Sequence, residues 1–69
     1  MALIKTIEVA TSSAVGVDDA IRKAVKEVSR TVRNVDTLEV KSIKASVSGG
    51  EVSTFDIVCL ISFRVDSRD

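Results

Sequence analysis

The stretch from Val52 to Val65 constrains this chain most, because it is apolar on both faces while the chain has little else with which to cover them. Phe55, Ile57, Cys59, Ile61, Phe63 and Val65 share one parity, the period of a strand lying over a core. On the opposite parity stand Val58 and Leu60, and burying each is worth about 1.5–3 kcal/mol. With 69 residues the chain forms one domain, residues 1–69. A domain of that size buries only about 60% of the surface its unfolded chain exposes, so small proteins add disulfides, a metal or partner subunits. Cys59 is the sole cysteine and there is no histidine, which removes an intramolecular disulfide and a Cys/His zinc cluster. Association between copies remains, and the Val58/Leu60 face is the expected subunit interface.

Ten basic residues balance ten acidic ones, so no overall field draws the chain to nucleic acid or an anionic membrane. Lys5 and Glu8 interrupt the first apolar stretch, unlike a signal peptide, and no run approaches the roughly 20 residues of a membrane span. A soluble cytoplasmic protein is expected. Apolar residues at 45% exclude wholesale disorder, and because only Phe55 and Phe63 are aromatic, the apolar mass is largely β-branched and favours sheet.

From Ala2 to Ala10 the residues alternate, with Leu3, Ile7 and Val9 on one face, Thr6 and Glu8 on the other, and Lys5 breaking the apolar side once. Thr11-Ser12-Ser13 then offers capping hydroxyls, and Asp18 and Asp19 place negative charge at the start of a helix expected from Val15 to Val17 onward. Val17, Ile21, Ala24, Val28, Val32 and Val35 form one helical stripe, while Arg22, Lys23, Lys26, Glu27, Arg30 and Arg33 cover the rest. Asp18 with Arg22 and Asp19 with Lys23 are acid-first i,i+4 pairs, each worth about 0.2–0.5 kcal/mol. Asn34 and Asp36 favour helix exit. Leu38 to Val47 changes phase, Leu38 and Val40 on one parity and Ile43, Ala45 and Val47 on the other, as a bulge or a switch of covered face requires. Gly49-Gly50 marks a two-residue hairpin turn, so Val52 to Val65 pairs antiparallel with that strand. The tail Asp66-Ser67-Arg68-Asp69 is charged and expected to fray. The fold class is α+β: β-α-β-β, a three-stranded antiparallel sheet wrapped on one helix.

This order resembles the dodecin family over nearly the whole chain. The matching pieces are Ala10-Thr11-Ser12, Gly16-Val17-Asp18-Asp19-Ala20-Ile21, Val35-Asp36-Thr37-Leu38-Glu39-Val40 and Ile61-Ser62-Phe63-Arg64-Val65, with Ser13-Ala14-Val15 about one residue longer than usual. The resemblance implies a hollow homododecamer built from trimers that binds flavin (riboflavin, FMN or FAD) in pairs between subunits for storage, buffering or quenching. It also implies coenzyme A as a ligand of some bacterial members. Its ligand-binding positions fall on Thr37, Asp56 and Arg64. Flavin-binding members carry a tryptophan where this chain has Thr37, so a stack worth about 0.5–1.5 kcal/mol beyond area burial is missing. They carry a glutamine where this chain has Asp56, which when ionised only accepts hydrogen bonds. Arg64 matches a basic position of bacterial relatives and could meet a ligand phosphate or pair with a carboxylate of another subunit.

Other chemistry is thin. Asp56 repeated by symmetry could hold a divalent cation, calcium or magnesium, in a flavin-free shell, although a solvated carboxylate paired with a Lys or Arg is the simpler role. Cys59 belongs to the apolar parity and reads as core. Arg22, Lys26, Arg30 and Arg33 read as a solvated helix face, since no aromatic residue interleaves them. The chain has no histidine base, no G-x-S-x-G nucleophile and no Gly-rich phosphate loop, so no catalytic residue is assigned and no enzyme is expected.

Overall fold

A computed structural model describes residues 2–66; Ser67 to Asp69, part of the tail expected to fray, lie outside them. Strand β1 (Ala2–Ser13), helix α1 (Val17–Val28), strand β2 (Val35–Ser48) and strand β3 (Glu51–Asp66) follow one another in the expected β-α-β-β order. The sheet order is β1-β3-β2 with both pairings antiparallel, so the doubly apolar strand is the central one. Gly49 (φ 60°) and Gly50 (φ 78°) make the hairpin turn, and two consecutive positive φ values there suit the right-handed twist of the strands it joins.

Helix α1 lies on the face of β3 that carries Ile57, Cys59 and Ile61. These three are buried together with Ala20 and Ala24, whose small side chains bring the helix close to the strand. Ile7, Val9, Val17, Ile21, Val28, Val35, Leu38 and Val40 pack around that centre. The Cys59 thiol donates to the Val9 carbonyl oxygen at 3.4 Å, and burial pushes its pKa up. It is a core residue, as its parity implied.

The phase change in β2 is a bulge. Val40 faces Cys59 and Ser42 faces Val58, so Lys41 is the extra residue, and Ile43 returns to the helix side opposite Ile57. Further register shifts lie between Val35 and Thr37 and between Ser46 and Val47.

Three local expectations are corrected. The helix ends at Val28 and not near Val35: the Val28 carbonyl accepts from Thr31 N at 3.2 Å and Val32 N at 2.9 Å, closing a tighter turn. Val35 is instead drawn into the sheet opposite Phe63. Asn34, at φ 60°, makes the exit from that connecting loop, where an asparagine tolerates the left-handed conformation. Strand β1 runs on through Ser13, so the hydroxyls expected to cap the helix sit in a strand. Ser13 Oγ accepts from Val15 N and Gly16 N and donates to Asp19 Oδ2 at 2.6 Å, ordering the loop while Gly16 takes the N-cap position. Asp19 is thereby taken from Lys23, whose ammonium reaches the Ser12 carbonyl at 3.4 Å. The Asp18–Arg22 pair forms at 3.3 Å.

A 12-residue helix is about 18 Å long, whereas the molecule extends 57 Å. The hairpin end therefore runs beyond helical cover, leaving Ile43, Val47 and Val52 exposed by 56%, 65% and 51%. We predict that Ile61→Ala lowers stability by about 2–5 kcal/mol in urea unfolding at fixed subunit concentration. Val15→Ser, in an exposed loop position, should change it by less than about 0.5 kcal/mol. Equal effects would contradict the placement of the core.

Candidate ligand site on the open sheet face

Antiparallel register assembles the face opposite the helix as rows of three side chains, one per strand. From the hairpin end the rows read Ser12, Asp56, Lys44; Ala10, Val58, Ser42; Glu8, Leu60, Glu39; and Thr6, Ser62, Thr37; after these Arg64 pairs with Ile4. Val58 and Leu60 are half-buried by these neighbours and are not among the residues packed around the helix-side core. The face therefore has an apolar middle and a polar region at each end. Lys41, turned out by the bulge, reaches across the middle to Glu8 at 3.1 Å, an ion pair with both partners more than half exposed and so worth at most about 1 kcal/mol.

Asp56 is the centre of the first region. Ser12 donates to its Oδ1 at 2.7 Å, Thr54 to the same oxygen at 3.0 Å and Ser46 to Oδ2 at 2.6 Å. Those hydrogen bonds, that of Ser46 foremost, hold the carboxyl below the ordinary value of 3.8, with Lys44 adding a smaller electrostatic push the same way. A hollow of about 240 Å³ opens beside Asp56, Lys44, Ala10 and Val58. At the other end the Thr6 and Ser62 hydroxyls meet at 2.9 Å, next to Thr37. The Arg64 backbone is tied to Asn34 by Arg64 N to the Asn34 carbonyl at 3.1 Å and by Asn34 Nδ2 to the Arg64 carbonyl at 3.5 Å. A shallow hollow of about 400 Å³ lies at this end of β3 against the loop that follows the helix, lined by Thr31, Val32, Arg33, Asn34, Phe63, Arg64 and Val65, with Phe63 and Val65 on the helix-side parity and not on the open face.

Thr37, Asp56 and Arg64 thus share one sheet face, but only the first and last are near one another. Six residues of β3 separate Asp56 from Ser62, the partner of Thr37, which at about 3.3 Å per residue is about 20 Å. A single planar ring system is much shorter than that and cannot touch both ends within one subunit. Among the described residues there is no group of three or more His, Cys, Asp and Glu side chains able to hold a metal, and no helix long and apolar enough to cross a membrane.

A sequence model of the dodecin family matches residues 3–66, nearly all of the chain. The chain belongs to the dodecin family. The dodecin of Thermus thermophilus is 29% identical over 62 residues, 90% of each chain. The structure of dodecin from Streptomyces coelicolor is similar with a TM-score of 0.90 and 30% identity, covering 97% of this chain and 96% of that one. Calcium dodecin from Mycobacterium tuberculosis, described as a calcium-chelating antigen with a calcium-binding site, is similar in fold at a TM-score of 0.79 and 20% identity, covering 97% and 96%. Membership supports a small self-assembling ligand-binding protein, in a form of the dodecin fold with Thr37 and Asp56 where the resemblance expects tryptophan and glutamine.

The hydroxyl shell of this dodecin's Asp56 was not evident from sequence. Ser12, Ser46 and Thr54 come from three strands, and only the cross-strand register, with its bulges, brings them to one carboxylate. The single available signal was the even parity of Thr54 and Asp56 on β3.

Because its folded pKa is lowered, Asp56 stabilises the fold fully above its ordinary value of 3.8, and that contribution is lost as pH falls through the depressed value. We predict a carboxyl-carbon NMR titration midpoint for Asp56 below 3.8 that rises in Ser46→Ala. A midpoint unmoved by that substitution would contradict the hydrogen-bonding account.

Proposed function

We propose that this chain assembles in the cytoplasm into a closed homo-oligomer, a dodecamer built from trimers, that stores or buffers a small organic ligand between subunits. The single observation that supports this most is the uncovered apolar middle of the sheet face, Val58 and Leu60, flanked by polar rows. A ligand lying between two such faces gains an apolar sandwich and reaches polar groups at both edges, which one subunit keeps about 20 Å apart. Thr37 and Asp56 act on one flavin ring only if they come from different subunits. Arg64, which follows the Ser62 row on the same parity of β3, suits a phosphate-bearing tail such as those of FMN, FAD or coenzyme A.

The same residues set the strength of flavin binding. Thr37 offers a hydroxyl where a stacking ring would lie, and Asp56 offers no donor to a ring carbonyl. Flavin held in the usual stacked manner is therefore weak in the native protein. Among the described residues Asp56 is a carboxylate held by three hydroxyls, and the proposed role is to hold a ligand without converting it.

Flavin fluorescence quenching tests this reading. FMN should be quenched by the native assembly only at concentrations about ten- to fiftyfold above those that saturate the double variant Thr37→Trp, Asp56→Gln, the ratio expected from regaining a stack and a hydrogen bond. If the double variant binds no more tightly than the native protein, the assignment of Thr37 and Asp56 to the ligand pocket is wrong.

A further inference from the structure

The ion pair between Glu8 and Lys41 joins the two edge strands across the central one. Glu8 stands on β1 opposite Leu60, and Lys41 is the bulge residue of β2, between the partners of Cys59 and Val58. Strand β3 lies between them, which puts the two edge backbones about 9.5 Å apart, yet the ammonium reaches the Glu8 carboxylate at 3.1 Å. The two side chains therefore arch over β3 on the face opposite the helix, and the apolar stem of the lysine lies over the Val58 and Leu60 positions. Ala10 and Ser42, the neighbours of Val58 in its row, are small and leave room for that stem.

A second carboxylate stands within reach of the same ammonium. Glu39 flanks Leu60 from the β2 side, two residues before Lys41, and forms no ion pair among the described residues. Paired with Glu39, Lys41 would lie along its own strand and clear the middle of the sheet. Glu8 and Lys41 are both more than half exposed, and Glu39 is exposed as well, so the two pairings are of similar, small strength. Exchange between them is a change of side-chain rotamer that needs no movement of the backbone.

We infer that Lys41 is a two-position strap that governs access to the apolar middle of the open face: paired with Glu8 it covers Val58 and Leu60, and paired with Glu39 it uncovers them for a flat ligand. This rests on the reading that the open face holds a ligand, and adds how entry to that face is controlled. The bulge is what makes the device work, because it places a lysine on the open face next to Glu39 without displacing Val40 or Ile43 from the helix side.

The test is the binding of Nile red, a neutral, flat, apolar dye, to the native assembly and its variants, with light scattering to verify that particle size is unchanged. Glu8→Gln removes the closed position and should tighten binding by about two- to threefold, whereas Glu39→Gln removes the open position and should weaken it by a similar factor. Lys41→Met, which discards the strap, should tighten binding by about two- to fivefold, and in that background neither glutamine substitution should have an effect. The opposite signs are decisive: Glu8 and Glu39 flank Leu60 from either side, so loss of a carboxylate as such would move both variants the same way. Shifts of one sign in Glu8→Gln and Glu39→Gln, affinities equal to the native one, or no binding by Lys41→Met overturn the inference. The dye carries no phosphate and no flavin ring, so these outcomes decide the strap, while FMN quenching by the Thr37→Trp, Asp56→Gln variant decides the ligand pocket.

Discussion

Everything in this structure depends on the central position of β3, a strand apolar on both faces in a chain with a single helix. Its helix-side residues Ile57, Cys59 and Ile61 are buried by Ala20, Ala24 and their neighbours. The helix cannot be on both sides. Val58 and Leu60 are left to the edge strands, which shield them only in part. The hairpin end, with Ile43, Val47 and Val52, extends past the helix altogether. Such a surface loses free energy to water at about 25 cal/mol per Å² of apolar area until something covers it. With no disulfide partner for Cys59, copies of the same chain are the natural cover in a family of self-assembling proteins.

The same arrangement organises the polar chemistry. Antiparallel pairing turns a residue's position along β3 into a row across three strands, so a hydroxyl on β1 and one on β2 converge on Asp56 although 34 residues separate Ser12 from Ser46 in sequence. Bulges decide which residues join each row. The one at Lys41 swings an ammonium group over the apolar middle to Glu8, and it lets Val40 and Ile43 both face the helix. Thr37 and Asp56 end up at opposite ends of one face, about 20 Å apart along β3.

Much of the fold was legible because period and punctuation agreed. Alternation marked β1 and β3, the phase slip between Val40 and Ile43 marked the bulge, and Gly49-Gly50 marked the turn. The end of the helix was not legible, because Val32 and Val35 continue the apolar period of α1 while tertiary pairing with Phe63 claims Val35 for the sheet. Ser13 was misplaced for a related reason: a hydroxyl before a helix looks like a cap whether it bonds the first turn or, as here, the loop ahead of it. At the candidate site, the resemblance to dodecins singled out Thr37, Asp56 and Arg64, and the register puts them on one face. The hydroxyl shell required cross-strand neighbours that no sequence spacing encodes.

Size measurement by multi-angle light scattering on dilution, read alongside far-ultraviolet circular dichroism, tests the central claim most directly. The account predicts a closed multimer whose sheet signal is lost whenever the particle comes apart, because a lone subunit leaves β3 and the hairpin end uncovered. A folded, soluble species with the mass of one chain would contradict it.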